Sequence, residues 1–231
     1  MATAGLVRIT FVLVVIHSIA PATAHAQSRD DNWFQQLAGW SAGPIVANQA
    51  TRRLEVRKID SNDEAWIEVT TTVDAVRGFS YRVDHAGGSP SLRQKMLKAL
   101  EEEGRTWNSR EQKRTALNVV NYELAVDEMR SDEVEIGLTP KRKDELLIAG
   151  HAVLSRPAGE LLRIEGRLVK PPSFWLKEVT ITRSYARVGR HVMPIRLDSQ
   201  LRVRWLGDYV FLMTYNYEVV DGVEVAQLAR R

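Results

Sequence analysis

Not one cysteine occurs in the 231 residues. That excludes disulfides, thiol nucleophiles, cysteine metal sites and a lipid-modified N-terminal cysteine together. An excess of one charge is also missing: 32 Lys and Arg stand against 29 Asp and Glu, mixed along the chain rather than gathered in blocks. A nucleic-acid reader needs a concentrated basic face, and none is legible. Sequence signatures of chemistry are lacking too. There is no His-x-Glu-x-x-His spacing, no Gly-x-Ser-x-Gly elbow and no glycine-rich phosphate loop. No catalytic residue, metal ligand or cofactor is therefore assigned.

The N-terminus does carry a pattern. "MATAGLVR" holds one positive charge, "ITFVLVVIHSIA" is largely apolar, and "ATAHA" supplies small residues before a cut after Ala26. This is the three-part form of a secretory signal peptide, too short for a stable membrane span. No later stretch is apolar enough to cross a bilayer. The expectation is a signal peptide over 1–26 and one mature domain over 27–231, of 231 − 26 = 205 residues. With Arg8 removed its charge is 31 − 29 = +2. An exported chain without disulfides must be held by its core, and about 200 residues suffice for that.

Helical periodicity is brief. "DNWFQQLAGW" places Trp33, Leu37 and Trp40 on one stripe. "SPSLRQKMLKALEEEG" has Ser89 to cap, Pro90 at the first helical position and Gly104 to end the helix. Leu92, Met96, Ala99 and Leu100 form its apolar face. Residues 106–115 read as a loop or a second short helix. The rest alternates as strands: three before the 90–103 helix, and from Val119 onward a series of short-spaced runs. About ten strands with polar or Pro/Gly-containing gaps favour antiparallel meander pairing over βαβ crossovers.

The last long run poses the main physical question. In 193–205 one face reads Met193, Ile195, Leu197, Ser199, Leu201, Val203 and Trp205; the other reads Pro194, Arg196, Asp198, Gln200, Arg202 and Arg204. Past a turn at 206–208 the apolar side continues through Tyr209, Phe211, Met213, Tyr215, Tyr217 and Val219. Burying each large apolar side chain is worth ~1.5–3 kcal/mol, so one uncovered strand would forfeit an amount comparable to a domain's net stability of ~5–15 kcal/mol. Something must cover it. A sandwich of two sheets and an incomplete barrel filled by helices both satisfy the requirement. A strand of about 40 Å, at ~3.3 Å per residue, tends to coil, which leans toward the trough.

Several tempting clusters read as structural. Asp84 and His85 are neighbours on a strand and point to opposite faces, so the carboxylate does not orient the imidazole. Glu101, Glu102 and Glu103 fan around a helix axis and are expected as a solvated end. Arg163 and Glu165 share a strand face and pair as a surface salt bridge worth ~0.2–1 kcal/mol.

The block 134–195 resembles bacterial outer-membrane lipoprotein-sorting-like proteins, in the superfamily of the periplasmic lipoprotein carrier and its outer-membrane receptor. The residues carrying the likeness are Pro140-Lys141-Arg142-Lys143-Asp144, Gly150, Arg163-Ile164-Glu165-Gly166, Pro172-Ser173-Phe174-Trp175, Tyr185 and Pro194. The strand "LLIAGHAVL" departs from the pattern, since relatives often have an aromatic before an acidic residue there. The resemblance implies a mainly β protein with a few helices: a curved antiparallel sheet forming a half-barrel closed by helices, in the periplasm, with a lipid or lipoprotein acyl chain as cargo. On that expectation Ile195, Leu197, Leu201, Val203, Trp205, Phe211, Met213 and Tyr215 line a hydrophobic trough, where ordinary core is the competing reading. Phe174 and Trp175, after the double proline, are expected as a loop-tip pair for membrane or partner contact, where a plug at the end of the sheet is the competing reading. The alternative function is a non-enzymatic envelope sensor or scaffold that binds a protein partner through the same fold.

Overall fold

A computed structural model describes residues 29–42, 46–74, 76–106 and 114–225. The expected signal peptide and residues 107–113 of the polar stretch lie outside the described residues, as does the Trp40 side chain.

The chain runs α1 (Arg29–Ala42), β1 (Asn48–Lys58), β2 (Glu64–Asp74), β3 (Gly78–Gly88), α2 (Pro90–Thr106), β4 (Tyr122–Met129), β5 (Glu133–Pro140), β6 (Ile148–Ser155), β7 (Leu161–Leu168), β8 (Leu176–Val188), β9 (His191–Val203), β10 (Gly207–Val220) and β11 (Val223–Glu224). Ten strands form one antiparallel sheet in the order β3-β2-β1-β10-β9-β8-β7-β6-β5-β4, with the short β11 on β10. Every step in this path is a hairpin or meander neighbour except β1–β10, which joins the two halves. The path ends at β3 and β4, so the sheet is open. Its middle strands are the longest: β8 and β9 have 13 residues and β10 has 14. The architecture is a curved half-barrel with helices α1 and α2, and residues 114–115 are also helical.

Period-two burial assigns the faces. β1 and β2 alternate buried and part-exposed along their lengths, with Leu54, Val56, Ile67 and Val69 inward. These join Leu197, Leu201, Phe211 and Met213, and Leu92, Met96 and Leu100 of α2, in one core. Trp33 and Leu37 of α1 belong to the same core. Helix α2 packs on β2 and β3 and reaches farther with two side chains, Glu103 to β1 and Lys95 to the ring of Tyr209 on β10. Helix α1 lies beside the β6–β7 turn, where Gly159 faces Gln36. The helices thus sit toward opposite flanks of the sheet.

Helix α2 runs through Gly104 instead of stopping there. A Cβ on Gly104 would lie 3.4 Å from the Phe79 ring, so the small residue lets the last turn close on β3; it is a packing residue, not a terminator. At the other end the Ser89 carbonyl accepts from Arg93 N at 3.0 Å, the first helical bond, which puts Ser89 at the cap position. The β5–β6 connection is pinned by Asp144. Its carboxylate accepts from Leu146 N, Arg114 and Arg142, at 3.0, 3.0 and 3.3 Å.

Candidate functional site

The concave face can be read as rows of residues paired across the strands. One row crosses nine strands: Ile67, Leu54, Met213, Leu197, Arg183, Ile164, Ala152, Ile136 and Val126. Eight of the nine are apolar. The ninth, Arg183, is 4% exposed and sits in the middle of the row. The neighbouring row brings Arg52 of β1 beside Tyr215 of β10.

These residues build a buried polar belt. Arg52 Nη1 donates to both oxygens of Glu103, each at 2.9 Å, and the carboxylate is 3% exposed. The Arg52 guanidinium lies over two rings, 5.2 Å from the centroid of Phe79 and 4.8 Å from that of Tyr215. Tyr215 stacks on Tyr217 at 6.1 Å and 11°, and Tyr217 donates to the Pro194 carbonyl at 2.8 Å. Tyr185 is buried beside Arg183. The belt separates the main core from a smaller apolar cluster of Val46, Ala50, Val188, Met193, Tyr217 and Val220.

The electrostatics of the belt favour cations. Burial opposes the charge on Arg52, but Glu103 above all outweighs it and its pKa is raised. Burial likewise opposes the charge of Arg183, and Tyr185, Tyr215 and Glu103 outweigh it. Burial pushes the Tyr185 hydroxyl up to about 12, with Arg183 pulling it down. Burial also raises Tyr215 and Tyr217, so the tyrosines are neutral near pH 7 and supply no compensating charge. Two buried arginines therefore share one carboxylate among the described residues.

The residues expected to line a trough distribute unevenly. Leu197, Leu201, Val203, Phe211 and Met213 are buried on the concave side, and Tyr215 packs against both apolar clusters. Ile195 lies at the irregularity where Pro194 and Arg196 pair with consecutive residues of β8, and is half-buried outside both clusters. Trp205 is not on the inner face. The turn occupies 204–206, two residues earlier than the expected 206–208, so the alternation stops at Val203 and Trp205 sits at the apex with φ 59° and 78% exposure.

Trp205 instead meets the loop-tip pair. Its ring lies 5.6 Å from Trp175 and 6.3 Å from Phe174, which are themselves 5.8 Å apart. Phe174 is 69% exposed, and Arg204 stands over its ring at 5.0 Å. The Arg204 N–H donates to the Trp175 carbonyl at 2.8 Å, tying the two loops together.

Other sequence readings also resolve. Asp84 accepts from Thr70 at 2.6 Å and Arg82 at 2.8 Å, on the opposite side from exposed His85. Arg163 meets Glu165 at 3.6 Å and also Glu133 at 3.5 Å. The glutamate run is corrected in one member: Glu101 is exposed, but the helix turns Glu103 into the core, where Arg52 receives it. Arg52, Glu103 and Arg183 had escaped the sequence reading as site residues. Their signal was phase, since Arg52 shares parity with Leu54 and Val56, and Arg183 with Val179 and Ile181. Among the described residues no group of three or more His, Asp or Glu could hold a metal ion, and no helix is long and apolar enough to cross a membrane.

No family model and no curated protein matches the chain. A solved structure that it is similar to is that of a LolA superfamily protein from Nitrosomonas europaea, with 11% identity, covering 80% of this chain and 90% of that one at a TM-score of 0.42.

Proposed function

We propose that the protein is a periplasmic binding and carrier protein that takes the acyl chain of a lipid or lipoprotein into its concave interior, exported by cleavage near Ala26 and acting as a single unit over 27–231. The observation that carries this reading is the apolar strip on the longest strands. Leu197, Leu201, Val203, Phe211 and Met213 lie between the flanks where the two helices pack. Met213 and Met96 face one core from sheet and helix, and methionine's flexible thioether repacks around variable chains. The two exposed aromatics with half-buried Trp175, backed by Arg204, would touch the lipid headgroup layer, where aromatic side chains favour the interface.

Lipid extraction from the purified protein, followed by mass spectrometry and by rebinding to the stripped protein, tests the carrier reading. Bound acyl lipid near one per chain is expected. No extracted lipid together with no uptake of added lipid would retire it.

One feature favours a second reading as an envelope scaffold. On the opposite, convex face a groove of about 470 Å³ is lined by Arg53, Glu55, Arg57, Trp66 and Leu212, among others. A protein partner seated there would leave the interior closed, and a captured envelope protein with no bound lipid would be its signature.

A further inference from the structure

An arginine in the centre of an apolar row, on the central strands of a sheet, requires an explanation beyond packing. Arg183 pairs across the sheet with Leu197 on one side and Ile164 on the other. Its Nε finds no hydrogen-bond partner among the described residues. The nearby carboxylate, Glu103, is already held by Arg52 through both of its oxygens. Tyr185 hydrogen-bonds the Arg183 side chain but, un-ionised near pH 7, brings no charge, so the belt sets two cations against one carboxylate among the described residues. A purely structural arginine would be expected to carry its own carboxylate, since buried charges are paired.

We propose that Arg183, supported by Arg52, is an anion-recognition point inside the half-barrel, taking the carboxylate or phosphate head of an amphiphile whose tail lies along the apolar strip toward Val203. This rests on the acyl-chain reading above and names its substrate class. The geometry suits such a ligand. From Leu197 to Val203 the strip runs six residues along β9, about 20 Å at ~3.3 Å per residue, and Arg183 stands beside its inner end. Planar guanidinium donors match carboxylate and phosphate oxygens, and a water-poor surrounding strengthens those bonds. Glu103 would keep Arg52 fixed while Arg183 keeps donors for the ligand. The tyrosine hydroxyls, un-ionised near pH 7, add no competing negative charge.

The test is a calorimetric titration of the lipid-stripped protein with laurate, dodecyl phosphate, methyl laurate and inorganic phosphate, repeated on Arg183→Met and Arg183→Lys. Laurate and dodecyl phosphate are expected to bind at least about tenfold more tightly than the uncharged ester. In Arg183→Met that preference should fall to within about twofold, and Arg183→Lys should retain part of it. Melting of the ligand-free protein gives a readout that separates this role from a structural one: Arg183→Met should not lower Tm, because methionine suits the apolar row and Glu103 stays held by Arg52. Ester and acid bound equally by the parent protein would overturn the anion site and leave the acyl-chain reading standing. A preference that survives in Arg183→Met, or a fall in Tm with the preference intact, would overturn the assignment to Arg183. If inorganic phosphate binds as tightly as dodecyl phosphate, and through Arg183, the anion site stands with a free anion as its ligand and the acyl-chain reading falls. If none of the four binds, both fall.

Discussion

Glu103 holds the balance of the buried belt because its carboxylate faces a guanidinium that two rings enclose. Removing one partner of such a pair leaves a charge with nowhere to go, at a cost of about 3–5 kcal/mol. Glu103→Gln should therefore lower unfolding free energy in urea by that amount. In an Arg183→Met background the loss should shrink, since one cation fewer then depends on the same carboxylate, and a double-mutant cycle would read the difference as coupling. Equal losses in both backgrounds would show that Arg183 and Glu103 do not share charge. At this scale the sequence was legible only in part. Leu197, Leu201, Phe211 and Met213 follow from parity alone. Glu103 was hidden because three consecutive glutamates look like a solvated helix end, and only the angle at which α2 lands on β2 and β3 decides which of them turns inward.

Strand pairing imposes a different kind of constraint on β6 and β7. Gly150 pairs with Gly166 across the two strands, and a Cβ on Gly150 would come within 2.1 Å of the Glu165 carbonyl oxygen and 2.5 Å of the Gly166 Cα. Backbone cannot yield as a side-chain tip can. Gly150→Ala should destabilise by about 1–3 kcal/mol, seen as a lower thermal midpoint. By contrast Gly39, within α1, has nothing within 4 Å of the added carbon, and Gly39→Ala should stabilise by up to about 1 kcal/mol through helix propensity. A Gly150→Ala protein as stable as the parent would mean that β6 and β7 separate at no cost there. Elements of this kind were well marked in the sequence, because alternation and turn residues bound β1, β2 and β5 to within a few positions. The 204–206 turn was not. Trp205 continues the apolar phase perfectly on paper, and nothing in that phase announces that it adopts a left-handed backbone at a turn apex.

Across the whole molecule, the choice between two packed sheets and one curved sheet depended on contacts that periodicity does not encode. Short spacing predicts neighbouring strands, but only the β1–β10 pairing, which joins residues far apart in sequence, gathers both halves into one open half-barrel. The same topology brings the β7–β8 loop and the β9–β10 turn to one end of the sheet. There Phe174, Trp175 and Trp205 meet beneath the cation of Arg204. Two of the three rings stay exposed after packing on one another, although each could bury ~1.5–3 kcal/mol of apolar surface. A lipid headgroup layer would accept both the rings and the charge. The double variant Phe174→Ser, Trp205→Ser should therefore lower partitioning onto anionic phospholipid vesicles by more than about tenfold, measured by co-sedimentation, with the thermal midpoint nearly unchanged because neither side chain belongs to a buried cluster. Arg204→Gln should weaken binding to anionic vesicles while leaving the smaller binding to zwitterionic ones unaltered, since it removes charge and keeps the rings. If the double variant sediments with vesicles as the parent does, the aromatic end serves only to brace the two loops, and a membrane-facing mouth has to be sought at the opposite end, where Val46, Met193 and Val220 gather.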